Sequence, residues 1–212
     1  MFDNTFLKIY KEYREDVSLK RKRAKRERRK MTMADKGAAK MAREEIVAML
    51  RHSVWEFNEW RRKNGNYLDL SMADLRGLNL EGVDFSYADL GRASFDRANL
   101  SGANFTGAYL RGAIFDYADL SGANFTGANL ELASLKDADI SDAIFSGANL
   151  RGADLTFVLF SSETVFLEAL LSKAYINKDL FEKVVNDFKQ SIEPSFGQDD
   201  GGDDDEEEDI KD

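Results

Sequence analysis

From Leu70 to Phe160 every fifth residue is Leu, Phe or Ile, over nineteen consecutive positions. Two residues before each stands a small apolar residue: Ala at 73 and at every step from 88 to 153, with Leu68, Leu78, Val83 and Val158 as the exceptions. Asp or Asn is frequent between the two, as at Asp74, Asn79, Asp89, Asn99 and Asn104, and Gly, Ser, Thr, Arg and Asp fill the other places. Neither ordinary element accepts this period. An α-helix turns by about 100° per residue and smears a five-residue repeat around its axis. A strand puts successive members of an odd step on opposite faces. Five-residue equivalence therefore requires a bend in every unit, and Gly, Asn and Asp tolerate bends. A chain that bends so regularly winds into a coil whose backbone groups pair between successive turns.

Spacing 20 gives the number of units per turn. Phe85, Phe105, Phe125 and Phe145 form one column, Leu70, Leu90, Leu110, Leu130 and Leu150 another, and SGANFTGA occurs at 101–108 and again at 121–128. Four units make one coil, and like stacks on like. Nineteen units make 4.75 coils, a rod roughly 23 Å long at the spacing of neighbouring strands. The Leu/Phe and Ala columns form a continuous apolar core; Asp/Asn, Ser/Thr and Arg form wet faces.

The repeating unit, as in Ala88-Asp89-Leu90, Ala103-Asn104-Phe105 and Ala148-Asn149-Leu150, resembles the pentapeptide repeat family, over residues 67–160. The resemblance implies a mainly β fold, a right-handed quadrilateral β-helix. It also implies a functionally diverse and mostly non-enzymatic family, whose best-understood members mimic duplex DNA and bind DNA gyrase.

The flanks read differently. Residues 1–36 form a basic arm with an expected helix at 4–30: Phe6, Ile9, Tyr10, Tyr13 and Val17 make a stripe at helical spacing. Behind the stripe come nine cations against one acid: Lys20, Arg21, Lys22, Arg23, Lys25, Arg26, Arg28, Arg29 and Lys30. Residues 37–66 read as an amphipathic capping helix from about Ala38 to Arg62, with Gly65 as its C-cap. Its Ile46, Met49, Leu50, Phe57 and Trp60 would seal the open end of the coil, whose strand edges need covering. Residues 161–193 form a C-terminal capping segment. Phe166, Leu171, Ile176 and Phe181 keep a step of five shifted by one residue, with Ala169 and Ala174 in the matching places. One reading is a further coil after a one-residue insertion at Ser161–Glu163, reaching as far as 181. The other is two helices, at 163–173 and 178–192, since Leu180, Phe181, Val184, Val185 and Phe188 also make a helical stripe. A distorted last coil followed by a helix from about 179 to 192 combines them. Residues 194–212 read as a disordered acidic tail.

Charge follows the same division. Residues 1–66 carry 19 Lys+Arg and 10 Asp+Glu, 67–160 carry 6 and 13, and 161–212 carry 5 and 16. The net charge of −9 thus hides a basic head and a strongly acidic tail. The absence of Cys excludes disulfides, Cys-bound metal and thiol nucleophiles. The one histidine, His52, falls on the capping helix with no evident catalytic partner. No phosphate-loop, dinucleotide or zinc-protease motif occurs. The many coil Asp residues recur at a repeat position and read as a solvated face, not as catalytic or calcium-binding carboxylates.

The expectation is a non-enzyme with no catalytic residues, cofactor or metal site: a structural or protein-interaction module, a rigid rod docked to a larger assembly through its charged arms. The nine cations at 20–30 are the candidate contact for a partner protein or a polyanion. The alternative, from the resemblance, is a DNA-mimic modulator of DNA gyrase or another type II topoisomerase. A homodimer through the C-terminal segment stays open. No apolar run is long enough for a membrane span, and Asp3 and Lys8 interrupt any secretory core. A cytoplasmic location is expected, with an organelle or a virion not excluded.

Overall fold

A computed structural model describes residues 43–64 and 68–192. Two helices, α1 (Arg43–His52) and α2 (Val54–Asn64), precede the coil, and α3 (Lys178–Ile192) follows it. The expected helix at 4–30, the start of the capping helix, Gly65 and the acidic tail lie outside the described residues.

Between Asp69 and Tyr175 the chain winds as a four-sided parallel coil. Asp69 bridges Asp89, Asp74 bridges Ser94, Asn79 bridges Asn99 and Asp84 bridges Asn104, and the step of twenty recurs to Asp139 and Leu159. Each side contributes one bridging residue per coil, so among the described residues the β structure is a stack of isolated bridges. Backbone pairing runs from coil to coil: Leu70 N–H donates to the Asp89 carbonyl (2.8 Å), and Asp89 N–H donates to the Leu68 carbonyl (2.8 Å). The four sides are numbered here by their first bridging residue: face 1 from Asp69, face 2 from Asp74, face 3 from Asn79 and face 4 from Asp84.

Every corner but that of the insertion, Ser161–Thr164, is the same turn. Ala73 N–H donates to the Leu70 carbonyl at 3.0 Å, and Met72 between them has φ +60°. A hydrogen-bonded turn with positive φ at its third residue is of type II, a conformation that favours Gly. Among the described residues, nine Gly and eleven other residues hold it, including Tyr87, Tyr117, Leu132 and Phe157. Gly107 shows one rule behind the choice. A Cβ there would lie 2.7 Å from the Tyr87 ring, which lies over the backbone of the next coil.

The Asp/Asn position has a local cause. Its side-chain oxygen accepts the N–H two residues on, as in Ser71 to Asp69 (3.0 Å), Ser121 to Asp119 (2.9 Å) and Thr126 to Asn124 (2.9 Å). This Asx turn satisfies a corner N–H that the coil leaves unpaired. Asn side chains also link coils, as in Asn104 to Asp84 (3.1 Å) and Asn149 to Asn129 (2.8 Å).

All eighteen inward residues from Leu70 to Leu155 are fully buried, and Phe160 is half-buried. Burying each such side chain contributes roughly 1.5–3 kcal/mol. Phe105 and Phe125 stack with centroids 4.8 Å apart, Phe125 and Phe145 5.0 Å, Phe145 and Phe166 5.0 Å, and Phe95 and Phe115 4.9 Å. The interior is filled.

The N-terminal seal is made of two helices where the sequence suggested one. The helix breaks at Ser53, whose hydroxyl accepts Glu56 N–H (3.2 Å) and caps α2. Ile46, Leu50 and Phe57 are buried, with Met49 and Trp60 packed beside them. Phe57 continues the Phe column below Phe85, ring centroids 5.6 Å apart. The exposed strand edge is closed by side chains. Asp84 N–H donates to Asn58 Oδ1 (2.9 Å), and Asn58 Nδ2 donates to the Gly82 carbonyl (3.0 Å). Arg61 donates from Nε to the Asp84 carbonyl (3.2 Å) and from Nη2 to the Ser86 carbonyl (2.5 Å). Asn58 and Arg61 thus stand in for the coil that would otherwise pair with face 4. Burial pushes the Arg61 guanidinium below its ordinary pKa, against the nearby Asp84 charge.

The C-terminal end settles the two readings of 161–176. Ile144 bridges Val165, Asn149 bridges Leu170 and Asp154 bridges Tyr175, a step of twenty-one. The coil therefore continues past 160 through one inserted residue, and no helix forms at 163–173. The insertion costs the carbonyl that would have accepted Asp142 N–H. The Ser161 hydroxyl accepts it instead (3.0 Å), and the buried Thr164 hydroxyl donates to the Ile140 carbonyl (3.1 Å). Phe181 is not a further coil position: it lies on α3, more than half exposed, while Leu180 fills the core.

Replacing Arg61 with Met keeps the stem and leaves two edge carbonyls without their donor. Arg61→Met lowers stability by about 2 kcal/mol, read by urea unfolding followed by circular dichroism. Arg62→Met, one residue on and exposed, leaves the midpoint unchanged.

Candidate interaction surface

The nine cations at 20–30 lie outside the described residues, so the surface is built from the rod. Each bridge column places a side chain on a face, and each corner places two more at an edge. In this register the charges separate by side. The seven cations between 68 and 177 all fall on the two corners that flank face 2: Arg92, Arg111, Arg151 and Lys173 on one, and Arg76, Arg97 and Lys136 on the other. Acids pair with four of the seven. Arg76 holds Asp74 at 2.8 Å, Lys136 holds Asp154 at 3.1 Å across coils, and Arg111 lies 3.7 Å from Glu131. Arg97 lies 3.4 Å from Asp96 and 5.0 Å over the Tyr117 ring.

Faces 3 and 4, the corner between them and the corner after face 4 carry Glu81, Asp84, Asp119, Asp139, Asp142, Glu163 and Glu168, and no cation from the coil; the corner before face 3 is the one that bears Arg76, Arg97 and Lys136. The two cation-free corners hold Gly82, Gly102 and Gly122 on one edge and Gly107, Gly127 and Gly147 on the other, where the exposed Tyr87 ring lies over Gly107. The result is a low-relief acidic side opposed to a charge-paired one. Toward the C-terminal end it turns apolar. Leu159 stands over Asp139, Ile144 over Asn124 and Leu167 over Gly147, all exposed, and Phe157 at the adjoining corner is 74% exposed.

An open cleft of about 320 Å³ lies between Arg51 of α1 and the first corners, lined by Asp74, Arg76, Gly77, Asp96 and Arg97. Its carboxylates are engaged by its own arginines. The Arg76 hydrogen bonds hold the Asp74 carboxyl down to about 2. His52 is exposed at the end of α1 and does not line the cleft. Among the described residues no group of three or more His, Cys, Asp or Glu could hold a metal ion, and no helix is long and apolar enough to cross a membrane.

A filled four-sided coil with patterned outer faces defines a repeat solenoid. Residues 66–102, 79–116, 93–131 and 118–156 match the family model for pentapeptide repeats, with eight copies of the repeat. This part of the chain belongs to the pentapeptide repeat family, and the family fold implies a right-handed quadrilateral β-helix. Similar solved structures include a pentapeptide repeat protein, Rfr23, from the cyanobacterium Cyanothece 51142, at 25% identity over 59% of this chain and 97% of that one, with a TM-score of 0.44. A pentapeptide repeat protein from the Arabidopsis thaliana thylakoid lumen is 25% identical over 71% of this chain and 84% of its own, with a TM-score of 0.39. One from Nostoc PCC 7120 is 27% identical over 59% and 88%, with a TM-score of 0.38. No curated protein matches the sequence.

The Asp74–Arg76 pair gives a pH signature. Its folded pKa of about 2 lies below the ordinary 3.8. Its stabilisation is complete above the ordinary value and is lost as pH falls through the folded one. Wild type therefore exceeds Asp74→Asn in urea midpoint at pH 7, and the gap closes between pH 4 and pH 2.

Proposed function

We propose that the chain is a non-catalytic interaction module, a rigid β-helix rod that joins a larger assembly through its charged arms. The observation that carries this reading is the filled core. Side chains occupy the whole axis, which leaves chemistry no hollow, while the outer faces are rigid and distinctly charged. The basic segment at 20–30 supplies the adhesive arm. Nine cations against one acid exceed what a solvated helix face tolerates, because like charges three or four residues apart repel. Its partner is an acidic protein surface or another polyanion. A 20-base-pair duplex serves as the probe: full-length protein binds it with an affinity that falls steeply with salt. Changing the nine Lys and Arg at 20–30 to Gln weakens binding at low salt at least tenfold. Equal binding by the two proteins overturns the assignment of the arm.

A second reading is favoured by the acid-only side of faces 3 and 4. Such a face suits a protein groove that normally receives DNA phosphates, in keeping with the family resemblance to DNA mimics that bind gyrase. On this reading the protein inhibits supercoiling by a type II topoisomerase, and Asp119→Asn/Asp139→Asn/Asp142→Asn relieves the inhibition. No effect of micromolar protein on supercoiling eliminates it.

A further inference from the structure

On the two sides that bear cations, stacked charges are partly balanced: Arg111 meets Glu131 and Lys136 meets Asp154 between neighbouring coils, and Arg43 lies 3.7 Å from Asp69, which bridges Asp89. On the other two they are not. Asp119 and Asp139 are bridge partners in successive coils, so two carboxylates stand over one another at about 4.8 Å. Neither has a cation beside it among the described residues, and neither does Asp142 at the adjoining corner. Like charges opposed in this way destabilise a sheet. The same faces expose Ile144 in the coil of Asp139 and Asp142, and Leu159 and Leu167 one coil further on, with Phe157 at the corner before Leu159.

The part of this chain before α1 carries the complement of that pattern, in the same order. Reading back from Arg43, a stretch of twelve residues (31–42) leads to the nine cations at 20–30 and then to the apolar stripe Phe6, Ile9, Tyr10, Tyr13 and Val17. Reading up faces 3 and 4 from the end where α1 and α2 sit, acids come first, and the apolar patch follows with Glu163 and Glu168 at its corners. We infer that residues 4–30 dock in cis along faces 3 and 4, the cations against Asp84, Asp119, Asp139 and Asp142 and the apolar stripe against Ile144, Leu159, Leu167 and Phe157.

The lengths agree. As a helix, residues 20–30 span about 16 Å, and the three coil steps from Asp84 to Asp142 span about 14 Å. The stripe from Phe6 to Val17 spans about 17 Å, against roughly 10 Å for the last two coils, so it covers them and reaches beyond the last one. Twelve extended residues reach about 40 Å, ample to pass from Arg43, which pairs with Asp69 on face 1 (3.7 Å), round the neighbouring corner to face 4. The Gly82, Gly102 and Gly122 corner between faces 3 and 4 lets a helix lie close to them. The docking stands whether or not the arm also captures a partner; a partner polyanion would compete with faces 3 and 4 for the arm.

The chain contains no Cys, so Ala24→Cys carries a single spin label on the full-length protein. Amide signals of Asn124, Asp139 and Asp142 then lose intensity, while those of Arg92 and Arg111 keep theirs. Mixing labelled chain without ¹⁵N with unlabelled ¹⁵N chain removes the effect if docking is intramolecular. Asp119→Asn/Asp139→Asn/Asp142→Asn, which keeps the Asx turns, restores the lost signals, and Arg92→Gln/Arg111→Gln does not. Loss on the Arg-bearing corners, loss on no face, or equal loss in the mixed sample overturns the proposal; the last shows that the arm docks on a second copy.

Discussion

The pairing of each residue with the one twenty further on governs the rest of the molecule. A backbone that bends every five residues can satisfy its N–H and C=O groups only by handing them to the coils above and below. That requirement fixes Leu over Leu and Phe over Phe, and aligns corner with corner. It also makes the rod vulnerable at three places: its first edge, its last edge and any insertion. Each is repaired by a side chain acting as backbone. Asn58 and Arg61 replace the missing coil below face 4, and Ser161 replaces the carbonyl displaced by the inserted residue.

Much of this was legible in the sequence because the repeat is a geometric statement. The Leu and Phe columns, the four units per coil and the change of phase after Phe160 all follow from spacing. What escaped the spacing argument was local hydrogen bonding. The Asx turn has a plain signature, Asp or Asn with Ser or Thr two residues on, as in Asp119-Leu120-Ser121, yet such residues read equally well as a solvated face. The break at Ser53 was signalled by Glu56 three residues later, a capping pattern overshadowed by the continuous apolar stripe. Phe181 fitted both the coil step and a helical stripe. The competition was decided by Leu180, the residue that points into the core.

The surface was less legible, since its meaning appears only once the chain is wrapped. In linear order Arg76, Arg92, Arg97 and Arg111 seem scattered among acids. Wrapped in fours, they share two corners, and faces 3 and 4 are left without a cation. Charge segregation of this kind concerns association and not folding, because a coil with mixed sides would stack equally well. The nine cations at 20–30 fall outside the described residues, and their role rests on sequence and on the acidic side that complements them.

Aromatic proton contacts report the step of twenty without intermediary. With ring centroids 4.8 Å apart, Phe105 and Phe125 give strong nuclear Overhauser effects between their ring protons, as do Phe125 and Phe145. Absence of those contacts, with cross-peaks instead between residues three or four apart through 70–160, would mean that the segment is helical and the account is wrong.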